Sequence, residues 1–219
     1  MSDSEFIRPT NANGEAVLHF WFEEARPWQW FRRDRHFDHM IKTRFGALHL
    51  AAKTGRLDVW RAHPRYALSL ILILDQFSRN IHRDTPNAFA QDAQALDIAR
   101  EAMARRFDHL VDDKRRVFFY MPFMHAENLP TQEESVRLFK ARLPGTGNLP
   151  YAIEHRDIVR RFGRFPHRNA VRDPIYQDRR LQPLSACMFM RRFGPAPFEQ
   201  FVKRHGGAVR LLNAHMKTP

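Results

Sequence analysis

The stretch "HPRYALSLILILDQFSRN", residues 63–80, decides the fold. Pro64 stands at a helix start, where a missing N–H costs nothing. From Tyr66 to Leu74 the side chains are then almost all apolar, as in a helix buried on most sides by other helices. The run is too short to cross a bilayer, which takes about 20 residues, and Asp75 closes it. Asn80 sits where the helix must end. Outward from this rod the spacing remains helical. Phe37, Ile41, Phe45, Leu48 and Ala52 recur at intervals of three and four, predicting a helix over 34–53 that stops before Gly55. Thr85 and Pro86 read as an N-cap and first helical position, with Phe89, Ala93, Leu96, Ala99 and Met103 carrying an apolar face to about residue 106. Further helices are predicted at 15–24, 113–125, 131–142 and 149–162. No alternating strand pattern competes, so the class is all-α, built from antiparallel helical hairpins with short connections.

The 219 residues fit one domain with a sizeable core, and 43% of them are hydrophobic. Nineteen Phe against four Tyr favour helices that interlock through aromatic side chains without polar handles. The single cysteine, Cys187, excludes an internal disulfide framework and a multi-cysteine zinc site. "MSDSEFIRPTNANGE" lacks the basic start and apolar stretch of a secretory signal, and no run is long enough to span a membrane; the expected location is cytoplasmic, with no membrane partner. Half of the formal charge of +12 comes from residues 171–219, which hold nine Lys and Arg against three acids. The rest is interleaved with acids and forms no basic stripe, so nucleic acid is not the expected partner. We expect a single helical domain over 1–170, followed by a divergent tail, rich in Pro and Arg, in which ordered packing is not expected.

Four segments carry polar groups that a purely structural helix would not need. In "LDQFSRN", Asp75 and Arg79 lie one turn apart at the end of the most hydrophobic helix, where a desolvated acid needs a partner. In "FFYMPFMHAE", Pro122 interrupts the helical hydrogen bonding and is expected to turn Tyr120, His125 and Glu127 out of a plain stripe. In "HFWF" and "WQWF", His19, Trp21, Trp28 and Trp30 read as core aromatics or as a pocket wall. In "FGRFPHRN", Arg164, His167, Arg168 and Asn169 follow a helix end, with Gly163 loosening the turn and Pro166 fixing it. That donor-rich cluster either clamps acids of other helices or holds an anionic ligand. There is no P-loop, dinucleotide-binding glycine turn, nucleophile elbow or HExxH pair. The spacing of His125, Glu127, His155 and His167 specifies no metal geometry, so neither metal nor organic cofactor is expected.

Five segments together, "VLHFWF", "FDHMIKTRFGALHLAAKTGRLDVW", "LILDQFSRNIHRDTPNAFAQDAQAL", "FFYMPFMHAENLPTQEESVRLF" and "HRDIVRRFGRFPHRN", resemble the bacterial domain-of-unknown-function 924 family over residues 15–170. The resemblance implies a helical fold similar to tetratricopeptide-repeat proteins and brings no settled activity. It places Asp75, Arg79, Asn80, His125, Glu127, Arg164, His167, Arg168 and Asn169 within family motifs. After Asn169 the likeness stops, and the switch to Arg and Pro is what a shifted reading frame in a GC-rich gene would produce.

The reading that follows is a cofactor-independent acid–base enzyme, or an enzyme-like pocket, for a small anionic molecule. Arg79, Arg164 and Arg168 would clamp the anion, with Asn80, His167, Asn169 and Trp21 lining the site. Asp75 or Glu127, with His125, would move the proton. An alternative is a tetratricopeptide-like module that clamps an acidic peptide with the same arginines. A third reading makes all these groups one internal salt-bridge network.

Overall fold

The computed structural model describes residues 10–168, apart from the His167 side chain. Among them there is no strand. Helix α1, Asn11–His19, is capped by Thr10, whose hydroxyl accepts the Asn13 N–H, and it widens into a π-helical turn over Phe20–Glu24. Helix α2, Arg35–Lys53, starts at Asp34, whose carboxylate accepts the N–H groups of His36 and Phe37. That cap satisfies two of the four donors a helix start leaves open.

The decisive stretch forms one helical rod. It begins as α3, Pro64–Ile71, passes through a π-helical segment at Leu72–Phe77, and ends as α4, Ser78–Ile81. Every residue from Ala67 to Ser78 is buried, as an almost wholly apolar run requires. α1, α2, α5 (Asp92–Ala104) and α6 (Asp113–His125) all pack on the rod, and it is the axis of the domain. Gly14 of α1 lies so close to the rod that a Cβ there would come within 2.6 Å of the Tyr66 ring. The packing then continues in chain order, α5 on α6, α6 on α7 (Leu129–Arg142) and α7 on α8 (Leu149–Phe162). Only residues 126–128 separate α6 from α7, so short a connection between packed helices that the chain must reverse.

The core is aromatic. Trp21 stacks on Trp30 and contacts Phe37, Phe77 and Phe118, while Phe20, Phe45 and Phe77 close the cluster where α1 and α2 meet the rod. A small second cluster of Ile158, Val159 and Phe165 lies at the end of α8, where Gly163 adopts φ +72° and closes the helix.

Two expectations change. The helix predicted from residue 86 begins at Asp92; Pro86–Ala88 form a single 3₁₀ turn. The Thr85 hydroxyl donates back to the His82 carbonyl, so it closes the previous helix end and does not cap the next. α6 also continues through Pro122 to His125, and Tyr120 is buried on the side away from His125's partners. Residues 169–219, including Asn169, Cys187 and the expected tail, lie outside the described residues.

Candidate functional site

Asp75 is fully buried, in the π-helical segment of the rod. Segments of this kind insert an extra residue into a helical turn and recur at functional positions. Its Oδ1 takes the Nδ1 of His125 at 2.7 Å and the Arg79 guanidinium at 2.8 Å, and its Oδ2 accepts Gln76 Nε2 at 2.5 Å. Burial alone would raise the Asp75 carboxyl, but the charges of Arg79 and His125 and the hydrogen bonds from His125 and Gln76 outweigh it and hold it down at about 2. Asp75 is therefore a carboxylate. It can only accept, so His125 donates from Nδ1.

Arg79 does more than pair with Asp75. It donates to the Asp75 carbonyl at 2.6 Å and binds both oxygens of Asp92, at 2.9 and 3.0 Å. Asp92 is the first residue of α5, where the helix dipole favours an acid. Arg168 arrives from beyond α8 and meets the same Asp92 at 3.0 Å, lies 3.8 Å from Glu127, and donates to the His125 carbonyl at 3.0 Å. Its guanidinium is within 4.4 Å of the Phe89 ring centre and 4.8 Å of the Phe165 ring centre. Glu127 accepts the Phe165 N–H at 2.9 Å and ties this last segment to the α6–α7 connection.

These contacts set a charge balance. Asp75, Asp92 and Glu127 face Arg79 and Arg168, so the cluster is neutral when His125 is an imidazolium and carries one negative charge when His125 is neutral. The His125 ring keeps 16% of its surface, and among the described residues nothing hydrogen-bonds its Nε2. Asp75 thus fixes the orientation of the ring through Nδ1.

A second imidazole shares this environment. His155 donates from Nδ1 to the Tyr151 carbonyl at 2.8 Å and presents its ring to the edge of Phe165. Burial first, then the charges of His125, Arg168 and Arg79, push it down to about 4, so it is neutral at pH 7 with Nε2 as an acceptor.

The residues singled out from sequence divide into two sets. Asp75, Arg79, His125, Glu127 and Arg168 come together as one network. Asn80 points elsewhere and donates to Asp38 at 2.8 Å, where Arg83 binds the same carboxylate. Trp21 is wholly inside the aromatic core, not on a pocket wall. Arg164 is exposed and makes no hydrogen bond or ion pair with a described residue. His167 and Asn169 fall outside the described side chains. Arg79 and Arg168 are occupied by acids of the chain itself, chiefly Asp92. Asp92 is not among the residues singled out from sequence, although it lies thirteen residues after Arg79 in the same quoted segment. From sequence, His155 stands out only as a candidate metal ligand. No cluster of His, Cys, Asp and Glu among the described residues could hold a metal ion.

A family model described as "Bacterial protein of unknown function (DUF924)" matches residues 17–173, a span that includes every member of the network. Among solved structures, a protein of unknown function, ATU0120, from Agrobacterium tumefaciens is 42% identical, with a TM-score of 0.69. The match covers 73% of this chain and 89% of that one. No curated protein matches the chain.

Proposed function

The chain belongs to the bacterial DUF924 family, and on that premise we propose that it is an acid–base enzyme acting, without an organic cofactor, on a small anionic molecule, with His125 as the group that carries the proton. The observation behind this reading is the 2.7 Å contact from buried Asp75 to His125 Nδ1, in a ring that keeps some exposure and has an Nε2 with no described partner. A carboxylate behind an imidazole fixes its tautomer and stabilises its protonated form, and this is how a histidine is prepared for proton transfer. Asp75 is then a positioning residue. Glu127 is a tie in this scheme, because its Oε1 accepts the Phe165 N–H and pairs with Arg168. Arg79 and Arg168 are scaffold, and recognition of the substrate's anionic group falls to Arg164 at the exposed end of the same segment.

The peptide-clamp alternative loses ground on the same geometry. A clamp needs arginines with donors to offer, and two of its three are engaged by Asp92.

The test is a turnover screen over small carboxylates, phosphate esters and sulfate esters, run with wild type, His125→Gln and Arg164→Ala. A substrate should be found whose turnover falls by about 10²–10⁴-fold in His125→Gln at an unchanged unfolding midpoint. Arg164→Ala should raise KM with little change in kcat. Turnover that survives His125→Gln would remove His125 from the chemistry.

A further inference from the structure

Residues 26–36, "RPWQWFRRDRH", join α1 to α2 and play no part in the network described above. Their shape is fixed. Gln29 N–H donates to the Arg26 carbonyl, and Arg26 N–H to the Gln29 side chain, both at 2.8 Å, locking a 3₁₀ turn over Pro27–Gln29. Trp30 pins the next residue inward, stacking on Trp21 and donating from its indole to the Trp21 carbonyl at 3.0 Å. The residues on either side of that pin point outward: Trp28 is 53% exposed and Phe31 64% exposed.

A turn this well ordered, presenting two large aromatic side chains to water, needs a reason. The surrounding charge supplies one. Arg26, Arg32 and Arg35 are exposed and form no ion pair with a described residue, and Arg32 lies over the Trp28 ring at 5.6 Å. Among the described residues Arg33 pairs with Asp84, itself exposed. The local acids are engaged: Asp34 caps α2, Glu23 binds Arg115, and Glu24 binds Arg44 and His19. The surface thus combines an exposed aromatic pair with four arginines, three of which have no ion-pair partner among the described residues.

We propose that this turn docks the protein peripherally on an anionic lipid bilayer, with Trp28 and Phe31 entering the headgroup region and Arg26, Arg32, Arg33 and Arg35 on the acidic headgroups. The physics of the interface suits these residue types: indole and phenyl rings partition to the boundary between water and hydrocarbon, while arginine stems lie along it and keep the charge in the headgroups. Two other occupants fit less well. A second copy of the chain would bring the same arginines face to face. Single-stranded nucleic acid needs a groove that tracks its backbone, whereas residues 26–28, 31–33 and 35–36 are exposed in succession, as on a convex edge. No described helix is long and apolar enough to cross a membrane, so the contact would be one of surface only.

The test is co-sedimentation with phosphatidylcholine vesicles, with and without about 30 mol% phosphatidylglycerol, alongside a single-stranded oligonucleotide arm. Wild type should bind the anionic vesicles, release in high salt, and shift its tryptophan emission to the blue, because Trp21 and Trp60 are buried already and Trp28 is the indole with most to gain. Trp28→Ala/Phe31→Ala and Arg26→Glu/Arg32→Glu should each weaken binding by on the order of tenfold or more, with the melting curve of wild type. These side chains are exposed, so a retained melt is the control for folding. Equal binding to neutral vesicles, no binding at low salt, or vesicle binding that both double variants keep would overturn the proposal. Oligonucleotide binding without vesicle binding would overturn it too, and assign the surface to nucleic acid.

Discussion

Among the described residues two aspartates are completely buried, and the fold treats them differently. Asp75 uses both oxygens, accepting from His125, Arg79 and Gln76. Asp108, in the connection between α5 and α6, uses one: Oδ2 takes the Tyr120 hydroxyl and Arg142, both at 2.6 Å, while no described group hydrogen-bonds Oδ1. The chemical character of the partners differs more than their number. Beside Asp75 stands an imidazole whose Nε2 has no hydrogen-bond partner among the described residues. Beside Asp108 stands a phenol whose burial and whose bond to that carboxylate raise its pKa, so it holds its proton. Arg116 also donates to the Asp108 carbonyl and to that of Val111, tying the loop to α6. The first arrangement orients an imidazole that keeps some exposure, and the second is a lock joining the 107–110 turn to α6 and α7. A buried acid therefore says little about function until its partners are known.

The largest expected effect strains this comparison on the Asp75 side. Arg79→Met removes the one cation that touches both Asp75 and Asp92, leaving a buried carboxylate uncompensated, and should cost about 3–5 kcal/mol in urea melts. A cost below about 1 kcal/mol would mean that Arg168 and His125 already suffice to neutralise the cluster. Next is Tyr120→Phe. It deletes a buried hydrogen bond to a charged group and should cost about 1.5–3 kcal/mol, with no change in any activity. Lost turnover at an intact fold would place the Asp108 cluster in the chemistry and end the contrast.

Asp75→Asn should cost less stability, about 1–2 kcal/mol, because the remaining two acids and two arginines balance when His125 is neutral. Activity should collapse all the same, since an amide neither fixes the tautomer nor stabilises the imidazolium. A loss of 3–5 kcal/mol with activity retained would make Asp75 a structural anchor.

The gentlest prediction is a slope. His155 and His49, the latter buried with Nε2 2.7 Å from the Ser78 hydroxyl, are each held down at about 4, in both cases mainly by burial. Their unfolded values are near 6.5, so between about pH 6.5 and pH 4 the unfolded chain takes up protons that the native rings refuse. Stability should therefore fall with falling pH in that window, by at most about 1.4 kcal/mol per pH unit for each ring. Asp75, depressed from 3.8 to about 2, adds its loss only below about pH 4. Denaturant midpoints between about pH 7 and pH 5 should show the first phase, and His49→Gln should flatten part of it. A flat profile there would mean that both rings titrate normally in the folded protein.

The sequence by itself determined the helical class, the central rod, and most helix boundaries, because hydrophobic spacing is local: the apolar positions from Phe37 to Ala52 give α2, and Pro64 opens the rod. It also singled out Asp75, Arg79, His125, Glu127 and Arg168, which the structure brings into one network, since polar groups at the ends of apolar helices need partners. What it could not supply was who partners whom. Asp92 fell inside a helix expected to start at Pro86, Asn80 and Trp21 looked like neighbours of Asp75, nothing local marked Asp108, and His155 drew notice only for its spacing from other metal-ligand types. Those assignments depend on which helix ends the packing brings together, as when Arg168 crosses from beyond α8 to meet Asp92 on α5. Pairing energies act over a few ångströms in space regardless of separation along the chain, so only the tertiary structure could decide them.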